Sequence, residues 1–116
     1  MEISQALEGI DPLLHSPNRL GVMACLASVD SATYQTLKEH LDLSYPTLSK
    51  SISALEDAGM VSVAKGFVGK KSTTDLSLTR KGRQSYSSYL ACLDRIVMGL
   101  SLIHISEPTR RYANSY

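Results

Sequence analysis

The hydrophobic residues between Ser44 and Gly59 follow a helical period. Leu48, Ile52 and Leu55 lie at i, i+4 and i+7, which places them on one face of a helix. The remaining positions carry mainly hydroxyl groups and one lysine: Tyr45, Thr47, Ser49, Lys50, Ser51 and Ser53. The segment is therefore predicted to pack on one side and to leave the other side open.

Both ends of this segment carry helix boundary signals. Ser44 is a residue type that caps helix N-termini, and Gly59 is a typical C-terminal stop. Pro46 is tolerated in the first turn, because its missing N–H has no partner within the helix there. We therefore predict a helix of about 14 residues.

Two helices are predicted ahead of this segment. Residues 3–14 show weak helical periodicity broken by a glycine and a proline, which predicts a short N-terminal helix and then a turn. A clearer helix starts with Ser16 as N-cap and Pro17 at the first helical position, and should end near Ser28. A loop follows, with an extended piece at residues 32–34 that could pair with a later hairpin.

The residues before Ser44 predict a helix-turn-helix arrangement. A short helix over residues 35–41 places Leu37 and Leu41 at i, i+4, and residues 42–43 turn the chain into the next helix. Two short helices joined by a tight turn, the second with a polar outer face, form this motif.

After Gly59 the period of the pattern changes from helical to alternating. The alternating positions predict two strands, with Val61, Val63 and Phe67 in the first and Thr74, Leu76 and Leu78 in the second. Residues 66–72 are the predicted turn region, with Lys70 and Lys71 at its tip. A hairpin with a basic tip directly after the polar-faced helix is a wing.

A long final helix is predicted from Thr79, its expected N-cap. Its apolar stripe consists of Tyr86, Tyr89, Leu90, Leu93, Ile96 and Val97. Because the stripe extends beyond the wing, it must be buried on something, and a second copy of the chain is one candidate. The alternative is that it folds back on the N-terminal helix of the same chain, and both can hold at once.

Length and composition indicate one globular domain. The chain has 116 residues, of which 43% are apolar, and is too short for a second, ligand-binding domain. No uninterrupted apolar stretch of membrane-spanning length and no basic-then-apolar leader is present, so we expect a cytoplasmic protein without a membrane partner. Cys25, within an apolar run, is expected in the core.

The net charge of +1 hides an uneven distribution. Residues 1–44 hold six acidic and two basic side chains, whereas residues 65–83 hold six basic and one acidic. A basic cluster can be a simple solvated surface, but here it follows a helix whose open face carries hydroxyls and lysine instead of Glu–Lys pairs. Such a face suits a groove lined by phosphates and base edges.

The motifs LSxxxLSKxIxxLEDAGMV at 43–61, KGFVGKKSTT at 65–74 and LTRKGR at 78–83 resemble the small MarR/ArsR-like winged helix transcriptional regulators. The resemblance covers residues 13–93. It implies an α+β fold, mainly helical with a small β-hairpin, and a homodimer that binds double-stranded DNA. It also implies that residues 47 and 49–51 lie near the major groove and that Lys70 and Lys71 lie near the backbone or minor groove.

The candidate sites follow from the motifs and the charge pattern together. The DNA-binding set is Tyr45, Thr47, Ser49, Lys50, Ser51, Lys65, Lys70, Lys71 and Arg83, and the dimer interface is the apolar stripe of the last helix. The alternative is a protein-interaction module, which would favour a wing poor in basic residues and an apolar outer helix face. No catalytic constellation, metal site or cofactor is expected, because the histidines are scattered and no glycine-rich phosphate loop occurs.

Residues 100–110, LSLIHISEPTR, resemble a translated sequencing adapter. We therefore interpret residues 1–99 as the winged helix-turn-helix domain with its dimerisation helix, and residues 100–116 as a non-native tail. The alternative is a genuine apolar tail that caps the dimer.

Overall fold

The computed structural model of the protein describes residues 3–105, with side chains described as far as Gly99. The elements in chain order are α1 Ile3–Glu8, α2 Pro17–Ala27, β1 Ala32–Thr33, α3 Tyr34–Leu41, α4 Tyr45–Asp57, β2 Val61–Val68, β3 Lys71–Leu78 and α5 Arg80–Ile105. The strands form an antiparallel sheet in the order β1-β3-β2. The predicted α+β winged helix fold is confirmed.

The chain forms two compact units. One consists of Asp11–Ser87, and the other combines the residues up to Ile10 with those from Ser88 onward. The predicted non-native tail begins inside α5, which continues to Ile105, and its remaining residues lie outside the described ones. No helix in the described part of the chain is both long enough and apolar enough to span a membrane.

The core of the Asp11–Ser87 unit is built around α4. Leu48, Ile52 and Leu55 are 0–1% exposed, which confirms the apolar face predicted from their spacing. They share this core with fully buried side chains from α2, α3 and β3, namely Val22, Met23, Leu26, Leu37 and Leu76. Burial on this scale contributes about 1.5–3 kcal/mol for each large aliphatic side chain. Cys25, which was predicted in the core, is only half-buried and lies at its edge.

Both predicted ends of α4 are confirmed. The Ser44 side chain accepts a hydrogen bond from the backbone N–H of Thr47 at 3.4 Å. At the other end Gly59 has φ +78°, and the N–H of Met60 donates to the carbonyl of Leu55 at 2.9 Å. A left-handed glycine with this bond is the Schellman arrangement, which satisfies carbonyls that the helix leaves open.

The short strand β1 and helix α3 divide the loop region differently from the prediction. Ala32 pairs with Leu76 and Thr33 with Asp75, so the extended piece does join the hairpin. The piece ends one residue early, because the Thr33 hydroxyl accepts the N–H of Thr36 at 3.2 Å and so caps a helix that starts at Tyr34.

The β2–β3 hairpin is longer and tighter than predicted. Its pairing continues from Val61↔Leu78 to Val68↔Lys71, so most of the predicted turn region 66–72 is strand. The turn itself is Gly69 and Lys70, with φ +64° at the glycine. A left-handed glycine at the first of two turn positions is typical of a type II′ turn, whose twist matches that of the strands.

The start of α5 is tied to the start of β2 by Thr79. The Thr79 hydroxyl accepts the N–H of Gly82 at 2.9 Å, which confirms its capping role. The same hydroxyl lies 2.6 Å from the carbonyl oxygen of Gly59 and 3.2 Å from that of Met60. The Lys81 ammonium donates to the carbonyl of Ala58 at 2.9 Å, where a cation is favourable beside a helix C-terminus.

The second unit joins α1 to the later part of α5. The Cys92 thiol donates to the carbonyl of Ala6 at 3.2 Å, and both residues are buried. A Cβ on Gly9 would lie 2.7 Å from the Cys92 sulfur, so the chain approaches closely there. The final helix therefore does fold back on the N-terminal helix, partly through a residue that the predicted stripe did not include.

Candidate nucleic-acid interface

The outer face of α4 is polar and exposed. Pro46, Lys50 and Ser53 are all solvent-exposed and lie at i, i+4 and i+7, opposite the buried leucines. Thr47 and Ser49 are half-buried on the two flanks of this ridge. Ser53 was not among the predicted contacts, although its helical position, three residues after Lys50, could have shown that it belongs to the ridge.

Ser51 does not belong to the open face, and its predicted position there was wrong. It is 7% exposed, and its hydroxyl donates to the carbonyl of Thr47 at 3.0 Å. The physical reason is its place in the helical period, because Ser51 comes three residues after Leu48 and four before Leu55. It therefore lies on the core face, where the bond to the preceding turn satisfies its hydroxyl.

An aromatic pair stands at the N-terminal end of α4. The ring centroids of Tyr34 and Tyr45 are 5.6 Å apart with planes tilted by 37°, and Tyr45 is 57% exposed. Burial, and to a smaller degree Tyr45, raise the pKa of the Tyr34 phenol, while a side-chain hydrogen bond with Ser49 acts in the opposite direction. Tyr34 is therefore neutral at physiological pH and contacts two predicted DNA-binding residues.

Two clefts adjoin α4, one at its N-terminal end beside Tyr45 and one along the ridge at Lys50. One, of about 330 Å³, is lined by Thr33, Tyr34, Gln35, Tyr45, Lys71, Ser72, Thr73 and Thr74. The other, also about 330 Å³, is lined by Ser16, Asn18, Arg19, Thr47, Lys50, Ser51 and Ala54. Each cleft is rich in hydroxyls and contains at least one basic side chain, as expected for a surface that receives phosphates.

The hairpin supplies further basic groups. Lys65, Lys70 and Lys71 are exposed, with Lys70 in the turn and Lys71 paired to Val68. Because Lys71 lines the cleft that Tyr45 also lines, β3 lies beside the N-terminal end of α4. The structure thus places the hairpin and the polar-faced helix next to each other.

Comparison with known proteins identifies this arrangement. Residues 18–97 match the model of the winged helix DNA-binding domain. The chain belongs to this family. Its fold and family are those of DNA-binding transcriptional regulators, which are not enzymes, and the resemblance to MarR-like regulators is confirmed.

Individual proteins and solved structures are also similar to the chain. The chain is 27% identical over 78 residues to an uncharacterized protein of Methanocaldococcus jannaschii, covering 67% of this chain and 85% of the relative. It is similar to a transcriptional regulator homologue from Pyrococcus horikoshii, with 27% identity, a TM-score of 0.76 and coverage of 86% and 98% of the two chains. The transcriptional repressor BigR from Xylella fastidiosa shares the fold, with 22% identity, a TM-score of 0.57 and coverage of 74% and 77%.

Arg83 has a structural role in the winged helix domain. Its guanidinium donates to the carbonyls of Ala27 at 3.4 Å and Val29 at 3.2 Å, just at the C-terminal end of α2. A cation there satisfies open carbonyls and complements the helix dipole. Arg83 was predicted as a DNA contact, but these bonds direct it to α2, and we leave it out of the interface.

The predicted dimer stripe of α5 is exposed only in part. Leu90 is 45% and Val97 57% exposed, and the neighbouring Met98 is 55% exposed. Tyr86, Leu93 and Ile96 are half-buried, whereas Tyr89 is 3% exposed and is therefore not available to a partner. Leu90 and Val97 lie seven residues apart and share one face of the helix.

Among residues 3–105, His, Cys, Asp and Glu side chains nowhere gather in a group of three or more that could hold a metal ion.

Proposed function

We propose that the protein regulates transcription as a homodimer that binds a specific DNA sequence, with α4 in the major groove and the β2–β3 wing on the backbone or minor groove. The observation that carries the proposal is the exposed ridge of Pro46, Lys50 and Ser53, with one hydroxyl-rich cleft beside Lys50 and another at the N-terminal end of α4 beside Tyr45. We also propose that it acts in the cytoplasm.

The proposed base contacts are on α4. Thr47, Ser49, Lys50 and Ser53 can offer hydroxyl or ammonium groups to base edges or to the sugar-phosphate backbone. Tyr45, exposed at the N-terminal end, is proposed to contact the backbone. Lys65, Lys70 and Lys71 are proposed to neutralise phosphates along the wing, a contribution that is independent of sequence and sensitive to salt.

The proposed dimer uses the exposed apolar face of α5. Leu90, Val97 and Met98 leave apolar surface exposed on α5, which a second copy of the chain can bury. A single domain of this size contacts little DNA, whereas two copies related by a two-fold axis read half-sites about 34 Å apart on one side of the duplex. We also propose that residues 100–116 are a non-native tail, so the dimer is best tested with a chain that ends at Gly99.

Selection of duplexes from a random pool tests the DNA proposal. The purified protein should enrich a palindromic sequence whose half-site centres are about 34 Å apart. Substituting Lys50 or Ser53 by Ala should change the enriched bases. A protein that enriches no sequence would contradict specific recognition, and would leave a protein-interaction module as the remaining use of the fold.

Sedimentation of the chain ending at Gly99 tests the dimer. We expect a dimer for the parent and a folded monomer for Leu90→Glu combined with Val97→Glu, because two carboxylates would have to be buried in the interface. The monomer should lose binding to the selected palindrome. Gln84→Glu, an exposed change on the same helix, is the matched control and should leave the dimer intact. A parent that stays monomeric at tens of micromolar and still binds the palindrome as one copy would refute the dimer.

A further inference from the structure

The tip of the wing exposes two apolar side chains next to each other. Phe67 is 75% exposed and Val68 is 72% exposed, and Phe67 is the single phenylalanine of the chain. The positions that face them on β3 are the polar Ser72 and Lys71, so strand pairing does not require apolar side chains here. Neither side chain contributes to the core of the Asp11–Ser87 unit, and both are open to a partner outside the chain.

The hairpin holds these side chains at the end of a narrow ribbon. Phe67 pairs with Ser72 and Val68 with Lys71, and the two-residue turn begins at Gly69. Since neighbouring residues of a strand point to opposite faces, the tip carries an apolar group on each face. Continuous pairing as far as Val68 makes the tip a defined element of structure.

The surroundings of the tip are basic. Lys65 lies on the same face of β2 as Phe67, Lys70 occupies the turn, and Lys71 is paired with Val68. Asp75 is the one acidic residue of the hairpin, and it lies opposite Ala64, away from the tip. An apolar tip flanked by three lysine side chains complements a surface that has anionic groups along its edges and apolar groups between them. A DNA groove has these properties, with phosphates along both walls and stacked bases at the floor.

We propose that Phe67 acts as an apolar wedge that enters the minor groove beside each half-site, partly separates one base step and bends the duplex there. Val68 then packs against the sugars of the groove wall, and the three lysines bind the flanking phosphates. The inference rests on the proposed DNA binding of α4. Because unstacking is easiest at pyrimidine–purine steps, the wedge predicts a TA or CA step at a fixed distance outside each half-site.

Affinity and bending measured on the selected duplex test the wedge. Phe67→Ala should lower affinity about tenfold and reduce the bend seen by energy transfer between dyes at the duplex ends, while the slope of log K against log salt stays unchanged. Lys70→Ala should instead reduce the magnitude of the salt slope by about 0.9 per copy of the chain and leave the bend unchanged. Ser62→Ala, exposed on β2 but distant from the tip, is the matched control and should change neither.

A fluorescent variant gives a direct readout. The chain has no tryptophan, so Phe67→Trp introduces a single reporter at the tip. Its emission should be quenched, and shielded from acrylamide, when the selected duplex is added. Because position 67 is exposed, the melting temperature of each Phe67 variant should equal that of the parent, so a change in DNA binding would not reflect unfolding.

The possible results separate the two proposals. A parent protein that selects no duplex would overturn both. A parent that selects a duplex, with Phe67→Ala giving the same affinity and the same bend, would overturn the wedge and leave the proposed function standing. A blue shift of the Phe67→Trp emission on adding phosphatidylserine vesicles, with no change on adding the duplex, would assign the tip to a membrane surface. Loss of self-association in Phe67→Ala would assign it to a second copy of the chain. Either of these outcomes would overturn the wedge.

Discussion

Gly82, in the first turn of α5, is predicted to be essential for joining the wing to the rest of the winged helix unit. A Cβ at this position would overlap the carbonyl oxygen of Met60, and would lie 3.0 Å from the carbonyl carbon and 3.2 Å from the Cα of the same residue. All three atoms are backbone, so no side-chain rotation can relieve the contact. Gly82→Ala therefore requires α5 and the start of β2 to move apart.

The cost can be worked from the bonds at Met60. Its carbonyl accepts the N–H of Thr79 at 3.0 Å and lies 3.2 Å from the Thr79 hydroxyl, and both bonds lengthen if the strand moves. Overpacking costs about 1–3 kcal/mol and each weakened hydrogen bond about 0.5–1.5 kcal/mol. The better helix propensity of Ala returns about 1 kcal/mol. We expect a net loss of about 1–5 kcal/mol in the free energy of unfolding.

Thermal and urea unfolding followed by circular dichroism measure this loss. For a domain of this size it corresponds to a decrease of roughly 5–30 °C in melting temperature. Gly66→Ala is the matched control, because its nearest neighbour would be the Thr73 hydroxyl at 3.9 Å, an ordinary contact, and stability should change by less than about 0.5 kcal/mol. Equal or greater stability for Gly82→Ala would refute the packing argument, since propensity alone predicts that sign.

Two further predictions concern α4. Leu48→Ala should lower the free energy of unfolding by about 2–5 kcal/mol because it leaves a cavity, whereas Lys50→Ala should leave the melting temperature nearly unchanged and alter DNA binding. Similar losses of stability in the two variants would contradict the assignment of Leu48 to the buried face of α4 and of Lys50 to the exposed face. Tyr34→Phe, in α3 beside α4, should keep the fold because the ring remains, but it should change the bases selected from random duplexes because Ser49 loses its partner. Tyr86→Phe is the control and should select the same bases as the parent. An unchanged base preference in Tyr34→Phe would show that the Tyr34 hydroxyl does not position Ser49.

The elements of the fold were largely predictable because their signals are local. The spacing of Leu48, Ile52 and Leu55 defines a buried helix face, and Ser44 and Gly59 mark its ends by their own backbone chemistry. The hairpin was predicted from alternation, but its turn was placed too widely. Exposed glycine, valine and lysine give little periodic signal at the tip, and the continuous ladder becomes visible only when the partner strand is known.

The contacts made by individual polar side chains were less predictable, because they depend on distant parts of the chain. Arg83 resembles a phosphate contact by composition, yet its partners are carbonyls more than fifty positions away in sequence. Tyr34 was not predicted as part of the candidate site, because only the fold brings it next to Tyr45 and Ser49. Ser51 is the exception, since counting from the core leucines alone places it on the buried face.

The distribution of charge along α4 indicates which part of it would face DNA in the proposed complex. The last turn ends in Glu56 and Asp57, both exposed, which repel phosphates. The first turn carries the positive end of the helix dipole, and Lys50 adds a charge within the first half of the helix. The cleft shared by Tyr45 and Lys71 places the wing at this same end. Since attraction from both elements converges there, we expect a duplex to cross α4 between Tyr45 and Ser53, away from its acidic last turn, and to touch the wing at once.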